Sequence, residues 1–143
     1  MTRINSSINP KKLTDQHLIA ELRELPRIFT SVNKRLTLNK TFDDIPKEFV
    51  LGSGHCKFFY NKLVFLYLRH IELKNEYLIR FKKSWKYDIN YLYKNNSYIP
   101  TDKENDLLVG RITTRILESS QIPRYYGKSI SKNEAIEILK NIC

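Results

Sequence analysis

The stretch Asp15-Gln-His-Leu-Ile-Ala-Glu-Leu-Arg-Glu-Leu-Pro-Arg-Ile-Phe29 indicates how the chain is organised. Read at about 100° per residue, it predicts a helix with one apolar face that continues beyond the stretch. That face consists of Leu18, Leu22, Leu25, Phe29 and Val32. Thr14 or Asp15 is the expected N-cap. Pro26 predicts a break near Leu25, because proline cannot donate the hydrogen bond of a helix interior.

Two polar stripes accompany the apolar face. Arg23 and Arg27 form a basic edge, and between this edge and the apolar face lie His17, Glu21 and Glu24. On a surface that binds nucleic acid, carboxylates would oppose binding, so carboxylates at this place are candidates for chemistry. Ordinary pairing of Glu24 with Arg27, and of His17 with Glu21, explains the same spacing. The pattern alone favours this plainer interpretation.

The composition narrows the class of protein. The chain has 143 residues, a length typical of a single domain, and its 25 Lys and Arg against 15 Asp and Glu give a net charge of +10. Such a charge favours a polyanionic partner. No apolar run approaches the roughly 20 residues that span a bilayer, so we expect no membrane association. We expect a cytoplasmic protein, associated with the nucleoid when bound to DNA. Cys56 and Cys143 show no metal-ligand spacing, and we expect neither a metal nor another cofactor.

The remaining periodicities predict an all-α fold, a compact single domain of three main helices, a short C-terminal helix and an extended N-terminal arm. The arm covers residues 1–12, and further helices are expected at about 57–82, 101–119 and 131–143. Capping boxes, in which an N-cap hydroxyl and a glutamate three residues later each bond the other's backbone, open the last two at Thr101 and Ser131. We expect the last helix to contribute packing.

Two further features bear on the site. On the 57–82 helix, we expect a mixed-charge face in solvent, formed by Lys57, Lys62, Arg69, Glu72, Lys74 and Glu76. The Gly52-Ser-Gly-His55 segment lacks the spacing and lysine of a phosphate-binding loop. We interpret it as a helix-entry turn, with His55 as a cap or core histidine.

Thr2 follows the initiator methionine directly, and a small second residue favours removal of Met1. The α-amine of Thr2 would then be free. At pH 7.5 about a third of such amines are unprotonated, against roughly one lysine in a thousand. Neighbouring positive charge, such as that of Arg3, lowers the pKa of an α-amine further. An N-terminal amine can therefore act as a nucleophile without deep burial.

Three segments together resemble one family, the phage-type pyrimidine-dimer DNA glycosylase with AP-lyase activity. They are Met1-Thr-Arg-Ile-Asn5 with Leu13–Arg27, the block Phe49–Leu63, and Tyr125-Tyr-Gly-Lys128. The resemblance implies that Thr2 is the nucleophile that forms a Schiff base at a cis-syn cyclobutane dimer. It also implies that Glu24 supports imine formation and the β-elimination that nicks the strand.

The resemblance further implies a set of DNA-binding residues and a partner. These residues are Arg3, Gln16, His17, Arg23, Arg27, Arg111, Arg115 and Lys128. The implied partner is double-stranded DNA containing pyrimidine dimers or abasic sites, bound without a metal ion, and we expect the protein to be a monomer. The C-terminal helix extends beyond the short form of the family.

Two other interpretations remain open at this point. A basic helical DNA-binding module without catalysis explains the net charge and the arginines, but it leaves Glu21 and Glu24 unexplained. The second alternative is a bifunctional glycosylase that acts on another base lesion. The sequence does not separate lesion types, because it does not give the positions of the side chains that form a lesion pocket.

Overall fold

The computed structural model describes residues 4–89 and 95–141, and over them the protein is mainly helical, as predicted. Its helices are α1 (Asp15–Glu24), α2 (Pro26–Thr37), α3 (His55–Phe58), α4 (Leu63–Phe81), α5 (Asp102–Glu118) and α6 (Lys132–Lys140). Two short antiparallel strands, β1 (Arg124–Tyr125) and β2 (Lys128–Ser129), lie between α5 and α6. The buried apolar side chains of the helices form one hydrophobic cluster with those of the N-terminal segment. None of the helices within the described ranges is long and apolar enough to cross a membrane.

The first helical region follows its predicted pattern. Thr14 caps α1 by accepting a hydrogen bond from the backbone N–H of His17, and α2 begins at Pro26. The break lies at Leu25, because a proline fits the first position of a helix but not its interior. All five residues of the predicted apolar face are buried: Leu18, Leu22, Leu25, Phe29 and Val32.

The prediction of a single helix over residues 57–82 is wrong. The structure has two helices, α3 and α4, separated by a turn, and Lys62 in that turn lies outside helical geometry at φ −132° and ψ 39°. The side chain of Asn95 stabilises the interruption. Its Oδ1 accepts from the N–H of Leu63 at 2.6 Å, and its Nδ2 donates to the carbonyl of Tyr60 at 2.8 Å. These bonds come from a residue distant in the chain, which a periodic pattern does not reveal.

The mixed-charge face of α4 was predicted to be solvated, and for two of its members this is wrong. Arg69 and Glu76 are buried, as is Arg80 one turn beyond Glu76. Each is part of an internal ion pair: Arg69 contacts Glu21 of α1, while Arg80 contacts Glu76 and Asp15 of α1. The charges therefore join α4 to α1, which explains why charged residues occupy an inward-facing line of the helix.

Residues 4–12 do not form the extended arm that we predicted. The N–H of Ile8 donates to the carbonyl of Asn5 in a turn, and Pro10–Lys12 forms one turn of 3₁₀ helix. Ile4 and Ile8 are buried in the core. The guanidinium of Arg69 also binds the carbonyl of Ile8 at 2.8 Å. The segment is held against the protein because its isoleucines complete the hydrophobic cluster.

The two predicted capping boxes differ in outcome. At α6, Ser131 and Glu134 form both bonds of the box. At α5, Thr101 caps the helix, but the carboxylate of Glu104 binds the hydroxyls of Ser6 and Tyr98, so the second half of that box is wrong. Helix α6 packs on α5 and buries Ala135 and Leu139, and its predicted extension to residue 143 lies partly outside the described residues.

A candidate active site between α1 and α5

A cleft of about 1010 Å³ opens between α1 and α5. Five of the predicted site residues line it: Gln16, His17 and Glu24 from the α1 side, and Arg111 and Arg115 from the α5 side. Its walls also include Asn5, Glu21, Gly110, Glu118 and Pro123, so the N-terminal segment contributes to it as well. The cleft thus combines carboxylates, a histidine and two arginines from segments that are distant in the sequence.

Glu24 is a half-buried carboxyl at the C-terminal end of α1 and lines the cleft. Burial raises the pKa of this carboxyl, and the positive charges of Arg27 and Arg111 act in the opposite direction. The negative charge of Glu21 adds to the upward shift. A carboxyl with a raised pKa beside cationic groups can hold a proton or give it up within one reaction, which suits general acid–base catalysis.

Glu21, three residues before Glu24, is buried and engaged within the protein. Its Oε2 lies 2.6 Å from Nε of Arg69, and its Oε1 accepts from Nη2 of Arg69 and from Nδ2 of Asn5, both at 3.0 Å. A carboxylate held by a two-point arginine contact and an amide has three of its roughly four acceptor sites occupied. Glu21 is therefore a structural ion-pair residue.

His17 lines the cleft one helical turn before Glu21. Its Nδ1 lies 2.7 Å from Oγ1 of Thr14, the same hydroxyl that accepts from the backbone N–H of His17 at 3.2 Å. Burial lowers the pKa of His17, and the charge of Arg111 lowers it further. The ring is therefore neutral near pH 7. If the Thr14 hydroxyl donates to Nδ1, the proton of the neutral ring is on Nε2.

Arg111 projects from α5 toward the same group of residues. Its Nη2 donates to Oδ1 of Asn5 at 3.3 Å, and Asn5 in turn donates to Glu21. Burial lowers the pKa of Arg111, while the carboxylates of Glu21 and Glu24 raise it. A guanidinium remains charged in such a site, so Arg111 supplies a fixed positive charge beside Glu24.

Side chains from three helices hold the N-terminal segment at consecutive residues. The N–H of Ile4 donates to Nε2 of His55 in α3 at 3.0 Å, and Asn5 binds Glu21 and Arg111. The hydroxyl of Ser6 binds Glu104 of α5. The predicted nucleophile Thr2 and the predicted contact Arg3 lie outside the described residues. The structure therefore fixes the part of the chain that leads to them.

The sequence was compared with models of known protein families. The model described as pyrimidine dimer DNA glycosylase matches residues 1–87, which is more than half of the chain. The chain belongs to this family. A member of the pyrimidine dimer DNA glycosylase family acts on DNA that contains pyrimidine dimers, so the interpretation as a non-catalytic DNA-binding module is set aside.

The matched region of this glycosylase contains the whole of α1, α2, α3 and α4, and with them Glu24 and His17. Arg111, Arg115 and Lys128 lie beyond it. Arg115 lines the cleft and is exposed, whereas Lys128 is exposed on strand β2. Lys128 is not among the described residues that line the cleft, so its predicted contact with DNA would lie outside the cleft.

Arg23 and Arg27 are exposed side chains on α1 and α2, on either side of Glu24 in the sequence. Within the described ranges, neither is among the residues that line the cleft. The charge of Arg27 nevertheless lowers the pKa of Glu24, so it lies close enough to act on that carboxyl. In this glycosylase both arginines therefore add positive charge to the exposed surface near Glu24.

Gln16 was predicted to contact DNA, and its amide has partners within the protein. Its Nε2 donates to the carbonyl of Ile122 at 2.8 Å, and its Oε1 accepts from the N–H of Arg124 at 3.0 Å. The side chain thus spans the backbone of the segment that enters the hairpin of β1 and β2. Gln16 joins α1 to the C-terminal wall of the cleft, to which Pro123 contributes.

Asp15 fixes the tip of the same hairpin. Its carboxylate accepts from the N–H groups of Tyr126 and Gly127 at 3.1 and 2.8 Å, and it pairs with Arg80 at 3.0 Å. The guanidinium of Arg80 lies 4.8 Å from the ring centroids of both Tyr125 and Tyr126. The hairpin is therefore attached to the N-terminal turn of α1, the helix that carries Glu24.

The sequence analysis did not indicate the roles of three contributors to the site, although its interpretation of His55 as a cap or core histidine is confirmed by the burial of that residue. Asn5 links Glu21 to Arg111, Arg69 neutralises Glu21, and His55 binds the backbone of Ile4. The conspicuous Gly52-Ser-Gly-His55 segment was a signal for the last of these, since two glycines before a histidine suggest a fixed side-chain position. Nothing in the local pattern indicates the roles of Asn5 and Arg69, because their partners are distant in the chain.

Proposed function

We propose that this glycosylase cleaves the glycosidic bond of the 5′ pyrimidine of a dimer with the α-amine of Thr2 as nucleophile, while the cyclobutane ring keeps that base joined to its 3′ neighbour. The amine's lone pair forms a bond to C1′ of the sugar. The glycosidic bond breaks, and its electron pair stays on the base nitrogen, which takes up a proton. The amine then loses a proton, and its lone pair forms the double bond to C1′ as the C1′–O4′ bond breaks and O4′ takes up a proton. The product is an iminium, the protonated Schiff base, at C1′.

We further propose that the same intermediate leads to strand cleavage. A base removes a proton from C2′, the electron pair shifts through C1′ toward the iminium nitrogen, and the 3′ phosphate departs from C3′ by β-elimination. Water then hydrolyses the imine and releases the amine. Glu24 serves as the base for C2′ and stabilises the positive charge of the iminium. These reaction steps would make the protein an AP lyase that also accepts preformed abasic sites.

The half-buried carboxyl of Glu24 in the cleft of a strongly basic protein carries this proposal. Its raised pKa and the adjacent charge of Arg111 match the requirements for proton transfer next to a cation. The position of Ile4 and Asn5 supports the role of Thr2. Thr2 precedes Ile4 by two residues, which span at most about 7 Å, and Asn5, the residue after Ile4, already lines the cleft.

The basic residues give the proposed DNA contacts. We assign phosphate or lesion contacts to Arg3, Gln16, His17, Arg23, Arg27, Arg111, Arg115 and Lys128. A net charge of +10 supports such binding, because each phosphate neutralised by the protein releases counterions. The proposed partner is duplex DNA with a pyrimidine dimer or an abasic site, bound by a monomer, and sedimentation of the free protein tests the monomeric state.

Borohydride trapping on a duplex with one cis-syn thymine dimer tests the mechanism. We expect a covalent protein–DNA adduct, at a residue that mass spectrometry identifies as Thr2 of a chain lacking Met1. Selective blocking of the α-amine should abolish the adduct. Binding of the dimer duplex without any adduct would contradict the Schiff base. A duplex with one oxidised pyrimidine, run in parallel, shows whether another lesion is preferred.

A further inference from the structure

The Gly52-Ser-Gly-His55 turn has a backbone that favours glycine at two positions. Gly52 and Gly54 have φ angles of +73° and +90°, in the left-handed region that other residues rarely adopt. At Gly54 a Cβ atom would also lie 3.2 Å from Cγ of Pro46. The turn directs His55, the first residue of α3, into the protein, where 2% of it is exposed.

The ring of His55 is fixed by contacts on both nitrogens and at its edges. Nδ1 lies 2.9 Å from the carbonyl of Val50, and Nε2 lies 3.0 Å from the N–H of Ile4. A carbonyl can only accept, so Nδ1 carries the proton and Nε2 is left as the acceptor for Ile4. Phe49 and Phe59 pack edge-on against the ring, with centroid distances of 5.4 and 5.5 Å.

The bond from Ile4 to His55 holds the backbone of the N-terminal segment rather than a side chain. It lies one residue before Asn5, whose side chain enters the cleft, and two residues after Thr2. We propose that His55 is a positioning residue, which fixes the backbone from which the α-amine of Thr2 reaches the cleft. This inference rests on the proposed function, in which that amine is the nucleophile.

The first variant, His55→Phe, keeps an aromatic ring between Phe49 and Phe59 but removes the acceptor. We expect the rate of adduct formation on the dimer duplex to fall about 10–100-fold, because small displacements of reacting groups have effects of this size. The affinity for a duplex with a tetrahydrofuran abasic analogue, which cannot react, should remain unchanged. His55→Gln, which retains an acceptor, should recover much of the lost rate.

A second change tests the bond without altering any side chain. Semisynthesis that replaces the Arg3–Ile4 amide by an ester removes the N–H donor of Ile4. We expect the same fall in trapping rate, and no additional fall when the ester is combined with His55→Phe, since both remove one bond. Phe81→Leu is the matched control. Among the described residues, the Phe81 ring packs against Tyr77 rather than His55 and does not line the cleft, so its removal should lower the melting temperature but leave the trapping rate unchanged.

The results separate this inference from the mechanism on which it rests. If the wild-type protein gives no adduct, the proposed function fails and the positioning role fails with it. If the wild-type protein gives an adduct and the ester protein reacts at the same rate, only the positioning role is overturned. An equal loss in trapping rate and in affinity for the abasic analogue would also overturn it, because it would indicate a general disturbance of the fold.

Discussion

Glu21 and Glu24 lie within one turn of α1, yet their surroundings give them different tasks. Glu21 is buried and neutralised by Arg69, whereas Glu24 is half-buried, lines the cleft and has a raised pKa. Both carboxylates looked equivalent in the sequence, as members of one polar stripe. Both line the cleft, and the difference arises because α4 covers Glu21 and pairs it with Arg69, whereas Glu24 stays partly exposed.

Replacement of Glu24 should separate binding from chemistry. Glu24→Gln removes the proton-transfer group but keeps the side chain's shape, so we expect strand cleavage to fall about 10²–10⁴-fold. Affinity for dimer-containing duplex should be retained, because one negative charge near the phosphates is lost. Single-turnover cleavage and equilibrium binding provide the measurements. Glu118→Gln, at another glutamate of the cleft, is the control, and full cleavage by Glu24→Gln would remove Glu24 from its role.

Replacement of Glu21 should mainly lower the free energy of unfolding. In Glu21→Gln the buried guanidinium of Arg69 faces a neutral amide, and breaking a buried ion pair in this way costs about 3–5 kcal/mol. Urea unfolding measures the loss. Glu72→Gln, at an exposed glutamate on α4, is the matched control and should change the free energy of unfolding by less than about 1 kcal/mol. Equal stability of the two variants would show that the ion pair is dispensable.

At the scale of elements, local signals predicted where helices begin. Thr14, Pro26 and Ser131 each set a boundary through their own backbone chemistry, and the structure has these boundaries. The interruption before α4 was missed because it depends on Asn95, far along the chain. The hairpin was missed because strands of two residues are too short to show a period. Its turn, Tyr126-Gly127, has positive φ at both residues, as expected for a type I′ turn.

The attachment of the hairpin to α1 gives a prediction for Gln16. If Gln16 acts by holding the backbone of residues 122–124, Gln16→Ala should weaken binding of the dimer duplex mainly through the exposed Arg124. In a double-mutant cycle, the loss caused by Gln16→Ala should then shrink in an Arg124→Ala background, with a coupling of about 0.5–3 kcal/mol. Additive losses would instead indicate that Gln16 contacts DNA independently of the hairpin.

At the scale of the whole molecule, the sequence indicated several residues that line the cleft, but not the contacts that hold them in place. Periodicity, net charge and the family resemblance indicated Glu24, His17, Arg111 and Arg115, and the fold brings all four to one cleft. The supporting residues were not predictable, because a buried arginine such as Arg69 has the same local pattern as a solvated one. Only the packing of α4 on α1 distinguishes the two.

The burial of the three histidines predicts how the free energy of unfolding depends on pH. Burial lowers the pKa of His55 and of His70 to about 4, from an ordinary value of 6.5, and it lowers that of His17 as well. Below pH 6.5 the unfolded chain therefore binds protons that the folded protein does not, and stability falls as pH decreases toward 4. Each group contributes at most about 1.4 kcal/mol per pH unit. Glu24 acts in the opposite sense, because a raised pKa lets the folded state bind a proton first.

Urea unfolding between pH 7.5 and 4.5 checks this expectation. The free energy of unfolding should decrease steadily below pH 6.5, since three histidines outweigh one carboxyl. His70 is the most informative residue to change, because it is buried, is not among the described residues that line the cleft, and its Nε2 has no hydrogen-bond partner among the described residues. His70→Gln removes one titrating group and should make the decline shallower. An unchanged slope in this variant would show that His70 does not remain neutral in the folded protein.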